Sequence, residues 1–206
     1  MMRRQPGNLT TRAITGCILA GGRGRRFQGA DKGFVALAGR PLLVHVLDRF
    51  RPQVDEVMIS ANRHLDDYRR HCARVLADAA DDYAGPLAGF AAAMAAATTP
   101  HLATTPCDTP FIPTDMVDRL WQALVEKDAE ISVVRTGTRL QPVFALLGTD
   151  LKDSLLKYLA SGGHKIDAWY ADHRVAEVDF GSDHEDFMNI NTPDDLARAE
   201  LRISSL

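Results

Sequence analysis

The sequence contains no apolar stretch approaching the roughly 20 residues a membrane-crossing helix needs, so no contact with a membrane is expected. Cysteine is scarce. Cys17, Cys72 and Cys107 form no CxxC pair and lie too far apart for a zinc knuckle. An odd, scattered set points to reduced thiols and a cytoplasmic protein. Charge of one sign is not in excess. Twenty-four basic and 27 acidic residues leave a formal net charge of −3. No global field draws nucleic acid, and any phosphate site must be built locally. Two familiar phosphate loops are missing: there is no GxxxxGK[ST], and Gly22-x-Gly24-x-x-Phe27 lacks the third glycine of the dinucleotide fingerprint. Residues 1–13 carry three arginines but no apolar middle of a signal peptide, and read as an extension ahead of a single domain over 14–206. At 206 residues, 46% hydrophobic and 25% charged, the chain fits one soluble domain with a covered core.

What is present is an alternation of apolar runs and helical patterns. Residues 14–20 (ITGCILA) read as a buried strand, followed at once by a glycine-rich loop. Residues 41–50 carry Leu42, Leu43, Val46, Leu47 and Phe50 at helical spacing behind a proline. Further strands are expected at 56–60, 74–77, 102–105, 131–134, 143–147 and 175–180. Further helices are expected at 86–97, 114–127, 151–159 and 193–201. Thr114 is a candidate N-cap, and Thr192 another, with Pro193 next and Asp195 three residues on. The order implies βαβ units: a three-layer, Rossmann-like α/β fold with a mainly parallel sheet and helices on both faces. Ligands of such sheets bind beyond the C-terminal ends of the strands. Cys17, Phe27, Phe34, Trp121 and Trp169 are expected to pack the core, and the histidines show no metal-ligand spacing.

The strongest segment runs Leu19-Ala20-Gly21-Gly22-Arg23-Gly24-Arg25-Arg26-Phe27 and on to Asp31-Lys32-Gly33. Glycines directly after a buried strand let backbone N–H groups approach phosphates closely. Arg26 offers a planar fork and Lys32 a compact point charge at the same place. Pro106-Cys107-Asp108-Thr109-Pro110 puts a carboxylate at a strand end, where it can serve as a magnesium ligand or as a turn residue. Gly85-Pro86-Leu87-Ala88-Gly89 opens an alanine-rich helix whose first N–H groups lack internal partners.

Leu19-Ala20-Gly21-Gly22-x-Gly24-x-Arg26 followed by Lys32 resembles the signature loop of sugar-phosphate and related nucleotidyltransferases. Asp31-Lys32-Gly33 is similar to the molybdenum-cofactor guanylyltransferase branch rather than to the Pro-Lys form of many relatives. The 85–89 and 106–110 segments, and Asn189-Ile190-Asn191-Thr192-Pro193, agree in order and spacing over residues 14–201. The resemblance implies transfer of GMP from GTP to the phosphate of molybdopterin or molybdenum-molybdopterin, dependent on Mg²⁺. It implies catalytic roles for Arg26, Lys32 and Asp108, with Asp108 holding the metal. On the GTP side it implies Leu19, Ala20, Gly21, Gly22, Lys32, Ser60, Asn62, Asp78 and Asp108. Asp78 would meet base, ribose or metal. Ser60 stands where the family has the first Asn of Asn-x-Asn-Arg, which shifts weight to Asn62. Pterin-side candidates are Gly85, Gly89, Arg139, Gln141, His164, Lys165, Asn189 and Asn191, since amides match the mixed donors and acceptors of a pterin edge. The family tends to have Arg where this chain has Lys165, and Lys cannot reproduce a bidentate fork. Three alternatives stand beside this reading: a cytidylyltransferase for the same cofactor, a sugar-phosphate enzyme on the same fold, and a non-catalytic carrier of nucleotide or cofactor. A molybdoenzyme or another cofactor-biosynthesis protein is the candidate protein partner.

Overall fold

In the computed structural model the described residues are 12–20, 31–77, 85–182 and 185–205. Nine strands are described: β1 (Ile14–Leu19), the short pair β2 (Ala36–Leu37) and β3 (Arg40–Pro41), β4 (Glu56–Ser60), β5 (Val75–Leu76), β6 (His101–Pro106), β7 (Ile131–Thr136), β8 (Arg139–Gly148) and β9 (Val175–Asp179). The helices are α1 (Leu42–Phe50), α2 (Leu65–Arg69), α3 (Pro86–Ala96), α4 (Met116–Glu126), α5 (Lys152–Ala160), α6 (Ile166–Tyr170) and α7 (Pro193–Ser204). Seven strands form one sheet in the order β5-β4-β1-β6-β8-β7-β9. Strand β8 runs antiparallel to β6 and β7, and the remaining neighbours pair parallel.

Strand β1 shows why the sheet is covered on both sides. Side chains alternate along a strand. Ile14 and Ile18 therefore enter the core layer with α1 and α4, and Cys17 enters the layer with α3 and α5. On the first side lie Leu43, Val46 and Phe50 of α1, Tyr68 of α2, and Met116, Val117 and Leu120 of α4. On the other lie Leu87, Phe90 and Met94 of α3, Leu155 and Leu159 of α5, and Trp169 of α6. Burying a large apolar side chain is worth about 1.5–3 kcal/mol, so these two layers carry the fold. A smaller cluster joins Ala199 of α7 to Leu37, Leu42, Phe111 and Ile190.

The structure revises some local expectations. Thr114 does not cap α4, which starts at Met116 without a side-chain cap. The cap comes from elsewhere in the fold: Gln53 Oε1 accepts the Val117 N–H at 2.9 Å, while Gln53 Nε2 donates to Arg49 and Pro113 carbonyls. Strand β8 extends well before the apolar 143–147 run. Its pairing with β7 jumps from Val133↔Ala145 to Val134↔Gln141, and Pro142, which has no N–H to give a ladder, falls in that irregularity. The cap at Thr192 is present as a full capping box with Asp195.

Candidate active site at the C-terminal sheet edge

Three parallel strands end side by side and their pairing runs on past the strand ends. Ala20 N–H donates to the Ser60 carbonyl at 2.8 Å, and Cys107 N–H to the Leu19 carbonyl at 3.1 Å. The ends of β1, β4 and β6 thus stand in one row. Beyond them lies a cavity of about 200 Å³ lined by Leu19, Ala20, Asp31, Lys32, Ser60, Gly85, Pro86, Gly89, Pro106, Cys107, Asp108, Val143 and Asn189. Strand β8 enters the sheet from this edge because it runs the other way, which brings its first half, including Val143, to the same place.

Lys32 stands in a 3-10 turn (Lys32–Phe34) capped by Asp31, whose side chain accepts the Gly33 N–H. Its ammonium donates to Asp108 Oδ2 at 3.0 Å and to Asn191 Oδ1. Asp108 is 6% exposed, and its Oδ1 is buried with no hydrogen-bond partner among the described residues. A buried carboxylate oxygen left without a donor is costly. Lysine thus pairs with one oxygen, and the other is a candidate donor for a ligand.

The 189–193 segment is fastened over this pair. Ile190 N–H donates to the Asp108 carbonyl at 2.9 Å, and Thr109 Oγ1 to Asn189 Oδ1 at 2.8 Å. Asp195 Oδ2 accepts the N–H groups of Asn191 and Thr192 at 3.1 and 3.0 Å, so the cap of α7 also fixes Asn191. Burial acts to raise the Asp195 carboxyl, but hydrogen bonds from Thr192, Arg198 and the backbone outweigh it and hold it below its ordinary value. Cys107, buried beside Asp108 and Asp31, is pushed upward by burial first and by both carboxylates next, which keeps the thiol protonated.

Gly89, on the first turn of α3, is needed for close approach. A Cβ there would meet Leu19 Cδ2 at 2.6 Å and Ser60 Oγ at 3.0 Å. The helix start therefore lies directly against the ends of β1 and β4. Ser60 is buried at the cavity wall, whereas Asn62 is exposed and does not line it.

A second, wider cleft of about 940 Å³ opens alongside and shares Asn189 with the first. Arg139, Gln141, Asn189, Asn191, Arg198 and Arg202 are among its walls. Gln141 Nε2 donates to Thr136 Oγ1 at 3.0 Å, and Arg202 pairs with Asp186. Of the candidates read from sequence, Leu19, Ala20, Lys32, Ser60, Gly85, Gly89, Asp108 and Asn189 meet around the first cavity, and Arg139, Gln141, Asn189 and Asn191 around the second. His164 and Lys165 are exposed just ahead of α6 and line neither. Gly21, Gly22, Arg26 and Asp78 lie outside the described residues. Asp31, Cys107, Val143 and Arg198 were not singled out from sequence as site residues. Only Asp31 and Cys107 carried a signal, as neighbours of Lys32 and Asp108.

Residues 16–177 match the MobA-like NTP transferase domain. The chain is 47% identical over 194 residues to the molybdenum cofactor guanylyltransferase of Cupriavidus taiwanensis, covering 92% of this chain and 97% of that protein. It is 47% identical over 199 residues to the molybdenum cofactor guanylyltransferase of Burkholderia lata, covering 92% and 97%. Among solved structures it resembles molybdopterin-guanine dinucleotide biosynthesis protein A from Archaeoglobus fulgidus, with a TM-score of 0.79 and 23% identity over 93% of this chain and 100% of that one. It also resembles a CMP:2-keto-3-deoxy-manno-octonic acid synthetase complexed with CTP, with a TM-score of 0.70, 12% identity and coverage of 94% and 98%. The two structural likenesses concern the fold, a nucleotidyltransferase α/β sheet. Identity spread over nearly the whole length, together with the family match, makes the chain a nucleotidyltransferase that belongs to the molybdenum cofactor guanylyltransferases of the MobA-like family.

Proposed function

We propose that the protein transfers the GMP moiety of GTP to the terminal phosphate of molybdopterin, with or without bound molybdenum, and releases pyrophosphate. The observation that carries the reading is the Lys32–Asp108 pair at the sheet edge, with Asp108 Oδ1 left for a ligand. The relatives named above bear the guanylyltransferase name at 47% identity.

The nucleotide phosphates would follow the 19–32 loop, with the Lys32 ammonium and the Arg26 guanidinium as counter-charges. The acceptor would lie in the wider cleft, where Gln141 and Asn191 offer amides and Arg139, Arg198 and Arg202 offer positive charge. An acceptor phosphate oxygen attacks the α-phosphorus. The bond from the α-phosphorus to the bridging oxygen breaks, and pyrophosphate leaves with that electron pair. A phosphate monoester is largely ionised near neutral pH, so no strong base is required. Catalysis is then alignment and charge neutralisation.

Magnesium suits the donors present: Asp108 offers one hard, buried carboxylate oxygen with no partner among the described residues, and Mg²⁺ takes one or two carboxylates with phosphates and water completing its shell. When bound, it neutralises phosphate charge and polarises the phosphoryl group. Lys32, held on Asp108 Oδ2, would stand beside that metal as a second positive charge toward the phosphates.

The test is pyrophosphate release from α-labelled GTP with freshly generated molybdopterin and Mg²⁺, with CTP as a parallel competitor. Release that requires GTP, the pterin and Mg²⁺ supports the reading. Use of CTP instead overturns the choice of base, and pterin binding without turnover of either nucleotide points to a carrier.

A further inference from the structure

Directly behind Lys32 lies a polar contact that the reaction does not use. Asp31 is 9% exposed, and its Oδ1 accepts two hydrogen bonds, from Tyr68 O–H at 2.5 Å and from Gly33 N–H at 3.1 Å. Tyr68 is fully buried on α2 and does not line the cavity. Its ring stacks at a tilt on Phe34, with centroids 4.7 Å apart. Burial first, then Cys107 and Asp31, push the phenol far above its ordinary value of 10.0, so the hydroxyl keeps its proton and donates it. Gly33 is fitted to this contact: a Cβ there would come within 2.6 Å of Tyr68 Oη.

Two buried carboxylates therefore stand near Lys32. Asp31 is adjacent to Lys32 in the chain, and Asp108 faces it across the cavity. Asp31 Oδ1 already accepts from Tyr68 and Gly33, and Lys32 goes to Asp108 at 3.0 Å. We propose that Tyr68 is a positioning residue: by holding Asp31 in the 3-10 turn, it directs the Lys32 ammonium into the cavity. The inference rests on the reading of Lys32 as a phosphate-handling group. It also links the segment after β4, which carries Tyr68, to the lysine turn.

The experiment compares full-length wild type, Tyr68→Phe, Lys32→Ala, Tyr68→Phe/Lys32→Ala and Tyr68→Phe/Asp31→Asn. Phe retains the ring and its contact with Phe34, and thermal melting confirms that each variant is folded. The first readout needs no substrate: competitive labelling of lysines with acetic anhydride, followed by mass spectrometry. The Lys32 labelling rate should change more than twofold in Tyr68→Phe, with exposed Lys157 and Lys165 unchanged. Removing the Asp31 charge in that background should return Lys32 towards the wild-type rate. The second readout is turnover. Tyr68→Phe should lower kcat about tenfold with the KM for GTP changed less than threefold, and the Tyr68→Phe/Lys32→Ala variant should lose no more than Lys32→Ala alone. Labelling within twofold of wild type would overturn the proposal, and so would losses that multiply in the double variant. Because labelling is independent of turnover, a wild-type chain that releases no pyrophosphate would count against guanylyl transfer, with the placement of Lys32 still decided.

Discussion

At the N-terminal edge of the sheet, Glu56 is surrounded by donors; at the C-terminal edge, Asp108 is not. Glu56 Oε1 accepts from Thr15 at 2.5 Å and from Thr98 at 3.0 Å, and its Oε2 pairs with Arg74. Asp108 has Lys32 on one oxygen and no hydrogen-bond partner among the described residues on the other. Both carboxylates adjoin the same central strands. A carboxylate with both oxygens paired ties elements together, whereas a buried carboxylate oxygen without a donor among the described residues is costly and marks a candidate ligand site. Residue type alone does not distinguish them; the count of donors does.

Substitution at the two edges should separate activity from stability. The largest effect is expected for Asp108→Ala: pyrophosphate release should fall by at least about 10²–10³-fold, the scale for losing one preorganised charged group, while urea unfolding shifts little. Lys32→Ala should follow, with a fall of about 10²-fold; a loss below tenfold would argue against its role at the phosphates. Glu56→Gln should show the reverse pattern, with kcat unchanged and folding stability lower by about 1–3 kcal/mol in a denaturant titration. Its pH dependence sharpens the contrast. Burial acts to raise the Glu56 carboxyl, but hydrogen bonds from Thr15, Arg74 and Thr98 bring it below its ordinary 4.5. The folded state therefore binds that proton less readily than the unfolded state. The stabilisation is complete above about 4.5 and is lost as pH falls through the lower folded value, so Glu56→Gln should flatten the acid limb of the stability curve. The smallest effect is expected for Lys165→Ala. The residue is exposed and outside both cavities, and kcat/KM should stay within about threefold, since most exposed substitutions away from a site are near neutral.

Much of this was readable from the chain. The 56–60 strand matches β4 at both ends, and the capping box at Thr192 was visible as Thr-Pro-Asp-Asp. Lys32 and Asp108, 76 positions apart, could be paired because each follows a strand that ends at the same edge. Other features had no local signal. Helix α2 spans five residues starting from His64 in the left-handed region (φ 53°), too short for a periodic pattern, so Tyr68 stayed unseen. The first half of β8 is polar and contains Pro142, which hid the strand that brings Arg139 and Gln141 to the site. Thr114 looked like a cap, but the helix start is set by Gln53, a long-range partner that no sequence window includes. Lys165 and Gln141 looked alike as polar loop candidates, and only the reversed direction of β8 separates them.

The bond between Lys32 and Asn191 joins positions 159 residues apart. On the ribosome, where synthesis runs from the N-terminus, every strand of the sheet is translated before that asparagine. The nascent chain can lay down its hydrophobic layers while the lysine still lacks one of its two anchors and Asp108 lacks its tether to Ile190. The Asn191 anchor of Lys32 thus arrives last, with a segment whose Ile190 also completes the smaller apolar cluster around Leu37 and Leu42. A polypeptide truncated just before residue 189 should therefore keep its two main apolar layers while losing the third cluster and the Asn191 anchor of Lys32, so near-native circular dichroism with no pyrophosphate release is the expected outcome.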